Sequence, residues 1–290
     1  METFIQLTVN GLSNGAVLAL AALGFVLIYK TTNVINFAQG EFLLIPAFVV
    51  WSVLAELHLP LIAGLAIAAA VATVLGIAVE RLILRRMTGK PAGSVMMATI
   101  GLSAVLASTV QIIWGTRPRP FPDVIPGGPV EVFGTTVAQN RLWAVGVAAT
   151  ALTGFSLFYT RTRTGIAMRA VADDQQAAQA QGISLNRMSA LAWALAGVSA
   201  VCAGVLIADL AGVSGAISGY GLLVFPAVIL GGLDSVAGAV AGGAGIGLLS
   251  SYTGGYVGGG LETVIPYVVL LAVLLVRPYG LFGQAEIERV

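Results

Sequence analysis

Charged side chains are scarce in this chain of 290 residues. They make up 9% of the sequence, whereas hydrophobic residues make up 58% and the mean hydropathy is +0.95. Soluble domains carry about 25% charged residues, so the shortage excludes an ordinary soluble domain and predicts an integral membrane protein. The 14 basic and 13 acidic residues nearly cancel, and we therefore expect no nucleic-acid partner.

Side chains that perform catalysis or bind metals are equally few. Cys202 is the single cysteine and His58 the single histidine, which leaves no internal disulfide and little material for a zinc site. The phosphate-binding pattern G-x-x-x-x-G-K-[ST] is absent, because Gly89-Lys90 is followed by Pro91 and lacks the upstream glycine. We expect no catalytic residue, no metal and no cofactor, so any work done by this chain must be driven from elsewhere.

Apolar sequence, in contrast, is abundant. A membrane-spanning helix needs about 20 mostly apolar residues, and eight or nine such spans fit the chain. The first six lie at about residues 7–29, 41–57, 61–80, 95–114, 142–159 and 189–211. We predict an all-α fold, a polytopic integral membrane helical bundle in which residues 1–290 form a single domain. No basic region precedes the first span, which we interpret as retained rather than as a cleaved signal peptide.

Basic residues in the short loops predict the orientation of the spans. The loops after the third and fifth spans carry eight bases and should both face the cytoplasm: Arg81, Arg85, Arg86, Lys90, Arg161, Arg163, Arg169 and Arg187. The proline-rich loop 115–141 should face the outside, although three arginines oppose this assignment. Lys30 then lies inside, as does the tail 284–290 if the C-terminal part crosses three times.

Glycine is concentrated in the C-terminal third, where 16 of the 37 glycines lie between Gly212 and Gly260. Small residues four positions apart let helix backbones approach closely, and three pairs have this spacing: Gly238 and Gly242, Gly243 and Gly247, Gly254 and Gly258. Such density predicts tightly packed or broken helices. The part that ends at Val276 therefore holds either three short spans or two spans and a re-entrant segment.

The segment 161–188 is the longest polar stretch in the chain. Asp173 or Asp174 can cap the N-terminus of the helix-forming run QQAAQAQ, and Gly182 can cap its C-terminus. A simple turn between spans does not need 28 residues with a capped helix in the middle. The residues alone leave two alternatives, a helix that lies on the lipid surface and a helix that contacts another protein.

The stretch TTNVINFAQG between Lys30 and Glu41 is too polar for the centre of a membrane and too apolar for an ordinary loop. Its polar residues, Asn33, Asn36 and Gln39, could line an interior cavity, where irregular backbone at membrane depth is tolerated. An interfacial turn between two helices explains the same pattern. Glu41 is explained by its position at a helix N-terminus, where a carboxylate interacts favourably with the helix dipole.

Three motifs resemble the branched-chain amino-acid permeases of ABC importers of LivH type. Gln176-Ala177-Ala178, followed after three residues by Gly182, has the spacing of the E-A-A-x-x-x-G signature, with glutamine in place of the usual acid. The stretch NVINFAQGEF is similar to that family's I-N-F-A-H-G-E, with Gln39 in place of the common histidine. VFPAVILGGLDSVAGAVAGG is similar to its glycine-rich C-terminal block.

The resemblance implies a permease subunit of a binding-protein-dependent ABC importer in the inner membrane. Its partners would be a second, similar permease, two cytoplasmic ATP-binding subunits and an extracytoplasmic substrate-binding protein. The segment 161–188 would dock on an ATP-binding subunit through Arg169, Asp173, Asp174, Gln176, Ala177, Ala178 and Gly182. Asn36 and Gln39 would belong to the translocation path. A secondary transporter and a membrane-embedded enzyme remain as alternatives, although secure mid-membrane charges and paired acids are lacking.

Overall fold

The computed structural model describes residues 2–124, 126–132, 134–277 and 279–283. Within these ranges the chain forms eleven α-helices, two 3₁₀ turns (Leu84–Met87 and Gly215–Gly219) and one pair of strands. The helices are α1 (Glu2–Thr32), α2 (Gln39–Ala55), α3 (Leu61–Leu82), α4 (Ala92–Trp114), α5 (Gln139–Arg161), α6 (Arg163–Asp173), α7 (Gln175–Ala180), α8 (Leu185–Ala211), α9 (Tyr220–Gly231), α10 (Val236–Tyr256) and α11 (Leu261–Val276). The tail 284–290, which was predicted to face the cytoplasm, is not among the described residues.

Six helical segments in the described part of the chain are long and apolar enough to cross a membrane. They are Glu2–Thr32, Leu61–Met87, Ala92–Trp114, Gln139–Arg161, Leu185–Ala211 and Val236–Tyr256. The described residues also contain three shorter apolar helices of 10–17 residues: Gln39–Ala55, Gly215–Gly231 and Leu261–Val276. The prediction of a helical membrane bundle is therefore confirmed.

The helix α1 is the centre of the bundle, and its second half is buried almost completely. It crosses α10 with the two backbones in direct contact. A Cβ atom added to Gly15 would lie 2.8 Å from the Cα atom of Ala244, and one added to Gly11 would lie 2.8 Å from the Cα atom of Leu248. Real Cβ atoms do not approach this closely, so this crossing requires glycine.

Two of the three glycine pairs predicted to pack tightly do so. Gly243 and Gly247 face α1 at the same crossing, and Gly238 and Gly242 face the backbone of α9. The third pair behaves differently, because Gly258 lies beyond α10 with a φ of +70°, in the left-handed conformation. Spacing identifies glycines that can pack but does not separate them from glycines that end a helix.

The proline-rich loop 115–141 contains a short antiparallel hairpin, which the all-α prediction did not include. Its strands are β1 (Pro129–Val132) and β2 (Thr135–Ala138), with Val130 paired to Val137. β-Branched residues fill both strands and Gly134 beside them has a φ of +77°, a combination that favours a hairpin. The loop also pairs Arg119 with Val213 by reciprocal backbone hydrogen bonds.

The loops that the basic residues assigned to one side of the membrane lie on one face of the bundle. On one face, Arg85 donates from Nη2 to the carbonyl oxygen of Asn186 at 3.3 Å, and Gln175 donates to that of Thr31 at 3.4 Å. The end of α1, the turn between α3 and α4, and the segment 161–188 therefore share one face. On the opposite face, Trp51 donates to the carbonyl oxygen of Pro120 at 3.0 Å.

Candidate functional site: the segment 161–188

The segment contains two helices, where the sequence predicted one. Thr162 caps α6, its hydroxyl accepting a hydrogen bond from the Gly165 amide at 3.0 Å. Met168 and Val171 on one side of α6 are buried. The corner between α5 and α6 needs a glycine, because a Cβ atom on Gly165 would lie 2.5 Å from the carbonyl oxygen of Phe158. The prediction of a lone short helix was wrong because the bases of this stretch suggested a loop, while its apolar residues pack on the bundle.

The short helix α7 is capped at both ends, as predicted. Oδ1 of Asp174 accepts hydrogen bonds from the amides of Gln176 at 2.8 Å and Ala177 at 2.9 Å. At the other end Gly182 has a φ of +81°, its amide bonds to the carbonyl oxygen of Gln179, and the Ile183 amide bonds to that of Ala178. These two bonds form a Schellman motif. Asp173 is the last residue of α6 and is not the cap.

The helix α7 lies against the bundle along one edge and is exposed along the rest. Ala178, one of the predicted docking residues, is 4% exposed and faces inward, so its side chain packs on the bundle. Asp173, Asp174, Gln176, Ala177 and Gly182 are all exposed. These five residues are therefore accessible in and beside α7, on the basic face of the bundle.

Arg169 occupies a different position from the other predicted docking residues. Its Nη2 donates to the carbonyl oxygen of Thr160 at 3.2 Å, and its guanidinium lies 6.0 Å from the centre of the Tyr159 ring. The side chain is half-buried at the corner between α5 and α6. Arg169 therefore ties this corner together, and the structure does not bring it onto the exposed surface of α7.

The family of the chain follows from sequence comparison. A family model described as "Branched-chain amino acid transport system / permease component" matches residues 7–275. The chain belongs to this family. It is a transport subunit and a multi-pass protein of the inner membrane. Family membership decides against the two alternatives, a secondary transporter and a membrane-embedded enzyme.

Curated relatives match this permease over almost its whole length. It is 30% identical to the high-affinity branched-chain amino acid transport system permease protein LivH of Escherichia coli (strain K12), over 99% of this chain and 98% of the relative. It is also 30% identical to the permease protein BraD of Pseudomonas aeruginosa, over 99% and 98%. The probable permease LivH of Methanocaldococcus jannaschii is 29% identical, over 92% and 88%.

One solved structure has a similar fold. It is described as PsaBC from Streptococcus pneumoniae in complex with Fab, and it matches the permease with a TM-score of 0.50 and 14% identity. The match covers 95% of this chain and 92% of that chain. At this identity the likeness concerns the fold alone.

The structure of the permease places Asn36 and Gln39 in its interior, with 0% of each residue exposed. Oδ1 of Asn36 accepts from the Ala38 amide at 3.0 Å, and Nδ2 of Asn36 lies 3.4 Å from Oε1 of Gln39. Nε2 of Gln39 donates to the carbonyl oxygen of Ala21 at 3.3 Å. Asn36 therefore satisfies a backbone amide in the chain between α1 and α2, and Gln39 joins the start of α2 to the interior of α1.

Glu41 is a further buried polar residue, for which the helix dipole alone offered an explanation. It is 2% exposed, and its Oε1 accepts a hydrogen bond from the Ser218 hydroxyl of the 3₁₀ turn. Gly40 beside it packs against the backbone of the same turn. The carboxylate therefore joins the start of α2 to the chain that precedes α9, a contact across 177 residues that no local pattern indicates.

A cavity of about 590 Å³ lies beside α7 on the basic face. Gln175 and Gln179 of α7 line one side, and the chain from Glu80 to Lys90 lines another. Within this wall, Glu80 and Arg85 form a two-point ion pair, with Nη2 to Oε2 at 2.7 Å and Nε to Oε1 at 3.2 Å. From the sequence, Arg85 served only to predict which loops face the cytoplasm. Glu80, the acid five residues before it, was the signal that could have indicated the pair.

Proposed function

We propose that this permease carries branched-chain amino acids across the inner membrane, driven by ATP hydrolysis on separate cytoplasmic subunits. Support for the substrate class comes from the curated relatives, which are named as branched-chain amino acid transport permeases. The scarcity of nucleotide-binding and catalytic motifs in the chain is consistent with an energy source on another subunit. The working complex contains a second, similar permease, two ATP-binding subunits and an extracytoplasmic binding protein.

The helix α7 is the proposed contact with the ATP-binding subunit. The observation that carries this proposal is a helix of six residues, capped at both ends and exposed along its polar surface. Isolated short helices are unstable in water, so the caps preserve a defined shape where few tertiary contacts do. When the ATP-binding subunits close, α7 moves with them and displaces α5 and α8 through the chain on either side.

The proposed topology has nine crossings, with the N-terminus outside and α7 in the cytoplasm. It counts the six long helical segments and the three shorter apolar helices of the described chain as spans. Hydrogen bonds that join α1, the α3–α4 turn and the segment 161–188 on one face support it. A role for Asn36 and Gln39 in the translocation path stays a prediction, and with both residues buried it would require a helix to move.

Replacement of Gly182 by valine tests the docking role. A β-branched residue at a φ of +81° is strained, so the C-terminal cap of α7 should be lost. We expect no uptake of labelled leucine, isoleucine or valine and no co-purification of the ATP-binding subunits, although the permease still reaches the membrane.

The matched control is Gly89→Val. Gly89 lies in the α3–α4 turn of the same face and has a φ of +80°, and no atom of the described part of the chain meets a Cβ added to it within 4 Å. This control should retain uptake and its ATP-binding subunits. Normal uptake coupled to ATP hydrolysis in Gly182→Val would contradict docking through α7.

A further inference from the structure

We propose that Glu80 and Arg85 form a latch that transmits the movement of α7 to α3, and that both are positioning residues for transport. The proposal rests on the proposed docking of α7. Arg85 belongs to the 3₁₀ turn after α3, and its guanidinium makes three hydrogen bonds that end on two different elements. Two bonds reach the Glu80 carboxylate in α3, and the third reaches the carbonyl oxygen of Asn186.

The third hydrogen bond ends on Asn186, which lies close to α7 in the chain. Asn186 lies in the first turn of α8, only four residues after the glycine that ends α7. That carbonyl is therefore among the first groups to move when α7 moves. Carbonyls in the first turn of a helix normally accept from the next turn of the same helix, so a donor from the α3–α4 turn adds a restraint between elements that are 101 residues apart.

The charge arrangement makes Glu80 the fixed end of the latch. Its side chain is 3% exposed, whereas that of Arg85 is 36% exposed. A buried carboxylate needs a charged and hydrogen-bonded partner, so the guanidinium is held in one orientation. The planar fork of arginine can bind both carboxylate oxygens and leave Nη2 directed at a further acceptor, which a lysine ammonium cannot reproduce in the same geometry.

The surroundings allow α7 to move while α3 and α8 stay together. Deeper in the bundle, α3 and α8 touch through their backbones, since a Cβ on Gly197 would lie 2.6 Å from the Ala72 carbonyl oxygen. At the cytoplasmic end the cavity of about 590 Å³ separates Gln175 and Gln179 from the chain after Glu80. At this end the Arg85–Asn186 hydrogen bond joins the turn after α3 to the start of α8. Displacement of α7 therefore moves α3 and α8 as one unit.

The test compares uptake per ATP hydrolysed in proteoliposomes that contain the complete transporter with its binding protein. We expect Arg85→Gln to assemble, to hydrolyse ATP and to transport about two- to thirtyfold less substrate per ATP, the range for residues that carry coupling between sites. Arg85→Lys, which retains the ion pair, should restore part of this ratio. The control Arg86→Gln removes a neighbouring exposed arginine of the same turn and should transport like the wild type.

Because Arg85→Gln leaves the Glu80 carboxylate without its partner, a neutral double variant, Glu80→Gln with Arg85→Gln, is measured beside it. A wild-type ratio of uptake to hydrolysis in the double variant overturns the proposal. Failure of the double variant to assemble, while Arg86→Gln assembles, also overturns it, because the pair would then serve assembly alone. If the docking of α7 is wrong, Gly182→Val transports normally. If only the latch is wrong, Gly182→Val fails and the double variant does not.

Discussion

The crossing of α1 with α10 and the helix α7 represent two opposite ways of holding a helix in place. At the crossing, Gly11, Gly15, Gly243 and Gly247 bring two backbones into contact, with one glycine pair on each of two successive turns. The caps of α7, in contrast, lie within the segment itself. This helix contacts the bundle through the inward side chain of Ala178 and the Gln175–Thr31 hydrogen bond, and the Arg85–Asn186 bond lies beside it. Dense packing fixes the relative position of two helices. Capping instead preserves the shape of a helix while leaving it free to move as a unit.

The largest expected effect comes from a change that destroys the crossing. In Gly15→Leu the side chain has no space against the Cα atom of Ala244, so α1 and α10 must separate. Overpacking of a core costs about 1–3 kcal/mol and more where backbone cannot yield. We expect almost no folded permease in detergent, measured as monodisperse protein by size-exclusion chromatography.

The control for this change is Gly146→Leu in α5. Gly146 also lies within a predicted span, but among the described residues an added Cβ meets no atom within 4 Å. If this variant has near-normal yield while Gly15→Leu is lost, the loss results from the close packing at the crossing and not from replacing a glycine within a helix. Equal yields would contradict the proposed rigidity of the crossing.

An intermediate effect is expected where buried amides hold the break between α1 and α2. Gln39→Leu removes the partner of the Ala21 carbonyl oxygen and of the Asn36 amide. A buried polar group left without a partner costs about 1–3 kcal/mol. The melting temperature of the purified permease should therefore fall. Gln39→Glu retains an acceptor at this position, and its melting temperature measures whether a charge is tolerated at this depth. An unchanged melting temperature in Gln39→Leu would contradict the structural role of this amide.

The smallest effect is expected at the cap of α7. Asp174→Ala removes the acceptor of the Gln176 and Ala177 amides, and loss of an N-cap costs about 1 kcal/mol. Because α7 makes few contacts with the bundle, the melting temperature should stay constant while uptake falls. The control is Asp123→Ala, which removes an exposed aspartate of the loop 115–141 on the opposite face of the bundle and should leave uptake unchanged. A lower melting temperature without loss of uptake would reverse the comparison between the two regions.

Much of the candidate site could be predicted from short stretches of sequence. Asp174 and Gly182 were identified as possible caps because capping depends on residues within a few positions of each other. The helix α6 was missed because its two bases suggested a loop, and only contact with the bundle makes its apolar side stabilising. The inward position of Ala178 was missed because a six-residue helix is too short to show a reliable apolar periodicity.

The sequence by itself determined the membrane class, the shared face of the basic loops, the capped helix and the family. Each of these depends on composition or on residues close together in the chain, where physical preference acts locally. Tertiary structure alone decided which glycines meet, why Asn36 and Gln39 are buried, and that Arg85 joins Glu80 to Asn186. Those contacts join residues that are far apart in the chain, such as Gly15 with Ala244 and Arg85 with Asn186, and the relative rotation and depth of their helices are set by the packing of the whole bundle.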